Sequence, residues 1–143
     1  MLLQRRADKV EAIRKVPLFS TLSKRELDLL AKSADEIQVP ADRVLVRQGE
    51  NARELIVIVD GTARVERSGH VIAHQGPGDF IGEMGLVDGR PRSATVKTDT
   101  PCTLLVIESR SFWLLLEQMP QLSRKIMATL SERVRALETR YID

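Results

Sequence analysis

The hydrophobic period changes twice along this chain, and those two changes restrict its fold more than any other feature. Between Gln4 and Val16, Ala7, Val10 and Ile13 recur at three-residue spacing among charges, a helical pattern that Pro17 ends. A second helix is predicted from Ser23. Ser23-Lys24-Arg25-Glu26 is a capping box in which serine and glutamate can each satisfy a backbone N–H. Leu22 and Leu27 hold the staple positions, and Leu27, Leu29 and Leu30 supply a buried face. From about Asp35 the period falls to two. Glu36 to Val39 alternates up to Pro40, and Arg43 to Arg47 runs into the turn sequence Gln48-Gly49-Glu50-Asn51. Leu55 to Val59 is β-branched and apolar, as in a strand buried on both faces. Thr62 to Arg67 and His70 to Gln75 flank Ser68-Gly69, which fits a two-residue hairpin loop. Further strands are predicted at Ser93 to Thr98 and Thr103 to Glu108. The helical period then returns, with Ser109 or Ser111 able to cap Phe112 to Gln118 and Pro120 opening a longer helix. The expected fold is α+β: an antiparallel β jelly-roll barrel with helices before it and two helices after it. It is expected as one domain over 1–143, with N-terminal helices in 1–33, the β-roll in 34–108 and C-terminal helices in 109–143.

Composition excludes several functions. The chain has 143 residues, enough for one self-supporting core. Twenty-two basic and 20 acidic residues leave +2, too little to argue for nucleic acid, and 3% aromatics offer few stacking platforms for single strands. The lone Cys102 rules out an internal disulfide and suits a reducing compartment. Arg5 and Arg6 arrive before an apolar segment of signal-peptide length, and runs such as Phe112 to Leu116 are too short to span a bilayer. A cytoplasmic chain with no membrane segment is expected. A jelly-roll metalloenzyme needs several histidines and a carboxylate on one metal. Only His70 and His74 are present, on a predicted strand that sets them too far apart. Cys102, beside Pro101, reads as buried and inert. No catalytic residue and no metal site are expected.

One stretch breaks the strand rhythm. It runs Gly78-Asp79-Phe80-Ile81-Gly82-Glu83-Met84-Gly85-Leu86-Val87-Asp88-Gly89-Arg90-Pro91-Arg92-Ser93-Ala94-Thr95-Val96. A short helical turn over Glu83 to Val87 sits between strands. Gly82 and Gly85 permit close backbone approach, and the first N–H groups of such a turn suit an anion. Arg92 can offer a planar fork to a phosphate. Ionised Glu83 only accepts, so it suits a hydroxyl donor. One ligand with a phosphodiester beside a free ribose hydroxyl would satisfy both groups. The plainer alternative is that Glu83 and Arg92 pair with each other or with water.

The whole string resembles the phosphate-binding cassette of the cyclic-nucleotide-binding domain family. Ile81-Gly82-Glu83-Met84-Gly85-Leu86-Val87, a gap, and Arg92-Ser93-Ala94-Thr95 fill most positions of that motif. The opening Gly-Asp-Phe-Ile-Gly-Glu and the Arg-Ser-Ala are similar to the bacterial catabolite activator branch, while Gly89-x-Pro91-Arg92 is nearer to kinase regulatory subunits and bacterial channel domains. The cassette is placed at 80–95. The resemblance implies that Glu83 accepts the ribose 2′-hydroxyl and Arg92 clamps the cyclic phosphate. It implies that the Gly82 and Glu83 N–H groups, Ser93 and the Ala94 N–H complete the cradle, and that Met84 lines the pocket. Gly85 stands where alanine is usual, and Ile81 where phenylalanine is. Ser93, as in the cAMP-binding catabolite activators, sets cAMP ahead of cGMP as the ligand. No further cofactor is implied. The family also caps the purine from its last helix; Leu137 and Glu138 occupy the matching positions, which leaves Leu137, Arg133, Arg135 and Tyr141 as candidates for that role.

Leu122, Ile126, Leu130, Val134, Leu137 and Tyr141 form one apolar stripe on the last helix, fitting either packing on the barrel or a homodimer seam. The implied function is a non-enzymatic sensor that signals to a protein partner through its C-terminal helices. The partner would dock on the last helix or on the basic first helix, with Arg5, Arg6, Lys9, Arg14 and Lys15. Ending at Asp143, the chain is not expected to bind DNA by itself. Two other readings stay open: a sensor fragment of a transcription regulator or channel, and a degenerate module that only oligomerises.

Overall fold

The computed structural model describes residues 6–142, and side chains over 8–138. Helix α1 (Arg6–Arg14) leads through a 3₁₀ turn at Pro17–Phe19 into α2 (Lys24–Ser33). The capping box forms as predicted: the Glu26 N–H donates to Ser23 Oγ, and the Ser23 N–H donates to Glu26 Oε1 at 2.8 Å. Strands β1 (Ala34–Val39), β2 (Val44–Val46), β3 (Glu54–Asp60), β4 (Ala63–Arg67), β5 (His70–Gln75) and β6 (Phe80–Ile81) follow. A short helix α3 (Glu83–Asp88) then precedes β7 (Thr95–Thr98) and β8 (Cys102–Glu108). Helices α4 (Ser109–Gln118) and α5 (Pro120–Ile142) complete the chain.

The strands form two antiparallel sheets, ordered β1-β8-β3-β6 and β2-β7-β4-β5. This corrects the expectation of a barrel: the jelly roll is two facing open sheets, because β1 and β6 end one sheet and β2 and β5 end the other. The alternation within β3 and β8 explains their unbroken apolar runs. Ile56, Ile58, Leu104 and Val106 pack between the sheets with Val46, Ala63 and Val96. Leu55, Val57, Leu105 and Ile107 point the other way, into a second core with Val10, Ile13, Leu18, Phe19, Leu27, Phe112 and Leu122. Each central strand is therefore buried on both faces. Strand β6, only two residues long, pairs with β3 and was not foreseen as a strand.

Helix α4 begins earlier than expected. Glu108 holds the N-cap position and makes no side-chain cap. The Ser109 N–H instead donates at 2.8 Å to the carbonyl of Arg53, the residue before β3, so distant backbone satisfies one of the free N–H groups at the helix start. The apolar stripe of α5 divides. Leu122 and Ile126 are buried and Leu130 packs against the core, whereas Val134 and Leu137 are more than half exposed. Arg5 and the side chains of Arg6 and Tyr141 lie outside the described residues. Among the described residues, no helix is long and apolar enough to cross a membrane.

Candidate functional site

A cavity of about 440 Å³ opens beside α3, within the range of small-molecule pockets. Its floor comes from Val46, Val65 and Val96 of the second sheet, and its rim from Gly82 to Gly85 and Arg90 to Ala94. Gly82, Glu83, Met84, Gly85, Arg92, Ser93 and Ala94 all line it. Of the lid candidates Arg133 also lines it. Leu137 does not, and Tyr141 cannot be placed.

Arg92 is positioned by its backbone. Its N–H donates to the Glu50 carbonyl at 2.7 Å, and its carbonyl accepts from the Gly49 N–H at 2.9 Å. The guanidinium turns inward, and Nη2 donates to the Glu54 carbonyl at 2.7 Å. Nη1 is shielded from water and finds no acceptor among the described residues. A buried guanidinium donor without an acceptor is costly, so this atom calls for an explanation. Burial also pulls the Arg92 pKa below its ordinary value, against the opposing charge of Glu54. An arginine stays protonated through such a shift.

The glycines serve this arrangement. Gly82 has φ +82°, and a Cβ there would overlap Arg92 Nη1 and stand 3.1 Å from the Glu54 carbonyl oxygen. At Gly85 a Cβ would stand 2.5 Å from the Ala52 Cβ. The close approach read from the sequence is thus an approach to the protein's own Arg92 and Ala52. Gly89 closes α3 at φ +63°, its N–H donating to the Gly85 carbonyl.

Glu83 and Arg92 do not pair with each other. Glu83 is almost wholly buried, and its two oxygens face different parts of the chain. Oε2 accepts the Leu18 N–H of the 3₁₀ turn at 2.9 Å, and Oε1 accepts Arg133 Nη1 of α5 at 2.5 Å. One carboxylate therefore ties the cassette to both helical ends of the fold. Each oxygen keeps a second lone pair, so a hydroxyl donor can still be accepted. Met84 and Ser93 are exposed on the rim, and the Ser93 carbonyl accepts from Arg67 Nε at 3.1 Å.

Cys102 is buried as expected. Its Sγ contacts the Thr62 and Thr100 carbonyls, and burial pushes the thiol pKa up. His70 and His74 are exposed on β5, and His74 Nδ1 lies 3.7 Å from Asp99. Sequence reasoning missed Val46, Ala52, Val65, Gln75 and Phe80 as lining residues, along with Leu18 as a partner of Glu83. The alternation within each strand carried a signal for Val46 and Val65. Nothing local marked Leu18.

Comparison with known proteins agrees with this geometry. The family model for the cyclic nucleotide-binding domain matches residues 36–119. A cyclic nucleotide-gated potassium channel of Rhizobium etli is 36% identical over 118 residues, covering 82% of this chain and 33% of the channel. The cAMP-activated global transcriptional regulator CRP of Escherichia coli is 33% identical over 101 residues, covering 66% of this chain and 48% of the regulator. The crystal structure of the N-terminal domain of a transcriptional regulator from Streptomyces coelicolor superposes with a TM-score of 0.83 at 25% identity, covering 88% of this chain and 94% of that one. This chain spans about a third of the length of the first curated relatives. The family match takes in every residue lining the cavity except Arg133, and with it the chain belongs to the cyclic nucleotide-binding domain family.

Proposed function

We propose that this chain is a cytosolic cyclic-nucleotide sensor whose ligand is cAMP, with cGMP as the competing candidate. The observation that carries the reading is Arg92 Nη1, buried, without an acceptor among the described residues, and bordered by Gly82 beside a cavity of nucleotide size. The ligand's cyclic phosphate takes that donor together with the Ser93 hydroxyl and the backbone N–H groups of Gly82, Glu83 and Ala94. Its ribose 2′-hydroxyl donates to Glu83. Ser93 and the cAMP-activated relative favour cAMP.

Output runs through α5. Arg133 shares Glu83 with the ligand, so occupation of the carboxylate changes the hold of the cassette on α5. The equilibrium between α5 positions shifts only as far as the ligand binds one position better than the other. The exposed Val134 and Leu137 offer either a seam to a second copy or a contact for a protein partner.

The test is calorimetric titration of the chain, freed of co-purified nucleotide, with cAMP, cGMP and 5′-AMP. Micromolar or tighter binding of a cyclic nucleotide and not of 5′-AMP is expected, with cAMP the tighter. The absence of both heat and thermal shift with every ligand would overturn the reading and favour a module that acts only by oligomerising.

A further inference from the structure

Strand β5 is exposed from His70 to His74 and turns inward only at its last residue, Gln75. The register explains this: Gln75 lies opposite Ala63, which is fully buried, so the two share the inner face of their sheet. Gln75 lines the cavity with Val46, Val65 and Val96, an otherwise apolar wall. Its Nε2 donates to the Phe80 carbonyl at 3.4 Å. A carbonyl only accepts, so this contact orients the amide. The other amide atom, Oε1, is shielded from water and has no donor among the described residues. A polar acceptor left unpaired in an apolar wall costs stability and calls for a reason.

The reading above supplies one. With the phosphate on Arg92 and the ribose on Glu83, the base is the part of the ligand left to fill the apolar wall. We infer that Gln75 is a specificity-determining residue of this cavity, its Oε1 accepting an N–H from the exocyclic amino group of the bound base. The last torsion of a glutamine is broad, and the bond to Phe80 is long, so turning the oxygen toward a base costs little. The inference rests on the proposed nucleotide reading and adds to it the residue that reads the base.

The experiment compares cAMP with purine riboside 3′,5′-cyclic monophosphate, which lacks only the 6-amino group. The wild-type chain should bind cAMP about three- to tenfold more tightly, the range of one neutral hydrogen bond. Gln75→Leu should bring that ratio to about one while still binding the analogue. Gln75→Met, similar in length and more flexible, serves if the leucine variant does not fold. An unchanged ratio in a folded variant overturns the role of Gln75 and leaves the sensor reading standing. A wild-type chain that binds neither compound overturns both.

Discussion

Replacing Gly82 by alanine tests the geometry of the site without any ligand. The substitution imposes two costs. The first is backbone strain, because φ +82° is a left-handed conformation that costs an alanine about 1–2 kcal/mol. The second is displacement of Arg92, since the new Cβ would overlap Nη1 and stand 2.9 Å from Cζ. Moving the guanidinium gives up its 2.7 Å hydrogen bond to the Glu54 carbonyl, a charged bond of about 1.5–3 kcal/mol that water restores in part. The total is about 3 kcal/mol, or roughly 10 °C in Tm for a chain of this length. Gly69→Ala is the control. Gly69 has φ +84° with nothing within 4 Å of an added Cβ, so it carries the strain alone, roughly 5 °C. Thermal unfolding followed by circular dichroism measures both. In an Arg92→Ala background, Gly82→Ala should cost the strain and the tight contact with the Glu54 carbonyl but not the displacement of Arg92, so the two changes should not fully add. Equal losses for Gly82→Ala and Gly69→Ala, or full additivity with Arg92→Ala, would refute the packing of Arg92 beneath Gly82.

Three further outcomes are expected. Arg92→Ala should weaken cAMP binding by at least tens of fold, as loss of a buried charged partner costs roughly 2–5 kcal/mol; unchanged affinity in a titration would remove the phosphate role. Glu83→Ala should narrow the affinity gap between cAMP and its 2′-deoxy analogue, and a gap left intact would remove the ribose role. The third concerns Glu26, where burial alone would raise the pKa but the Lys125 ammonium at 2.6 Å and the Ser23 N–H outweigh it, so the carboxyl titrates below its ordinary value. A lowered folded pKa adds stability above the ordinary carboxyl range near pH ~4.3, and that stability is lost as pH falls through the lowered value. Glu26→Gln should therefore depress Tm at pH 7, and the depression should shrink as pH falls below the ordinary carboxyl range; a depression that stays constant on acidification would count against the ion pair.

What the sequence disclosed and what it hid follow from distance along the chain. The Ser23–Glu26 box needs only three residues in register, so it was legible and it forms. The cassette was legible because Gly82 through Ala94 is nearly contiguous. The unbroken β-branched apolar run of β3 announced a strand buried on both faces, and both cores confirm it. The cap of α4 was misread because its partner, the Arg53 carbonyl, lies far upstream, just before β3. Closure of the sheet was misread for a similar reason: local alternation states which face is buried and not which strand ends a sheet. The contact of Gly85 with Ala52, the pairing of Glu83 with Leu18 and the inward turn of Gln75 all depend on tertiary register, which no local pattern encodes.

The hydrogen bond from the Leu18 amide to Glu83 Oε2 gives the molecule its own spectroscopic reporter. Leu18 is fully buried in the helical core and does not line the cavity, so no ligand need touch it. Its amide proton nevertheless points at the carboxylate that Arg133 holds and that the proposed reading gives to the ribose. In a proton–nitrogen correlation spectrum, one leucine cross-peak should follow the charge and hydrogen bonding of Glu83 from a distance. Its exchange with deuterium should record how often the carboxylate lets go, in the same tube in which the ligand is titrated.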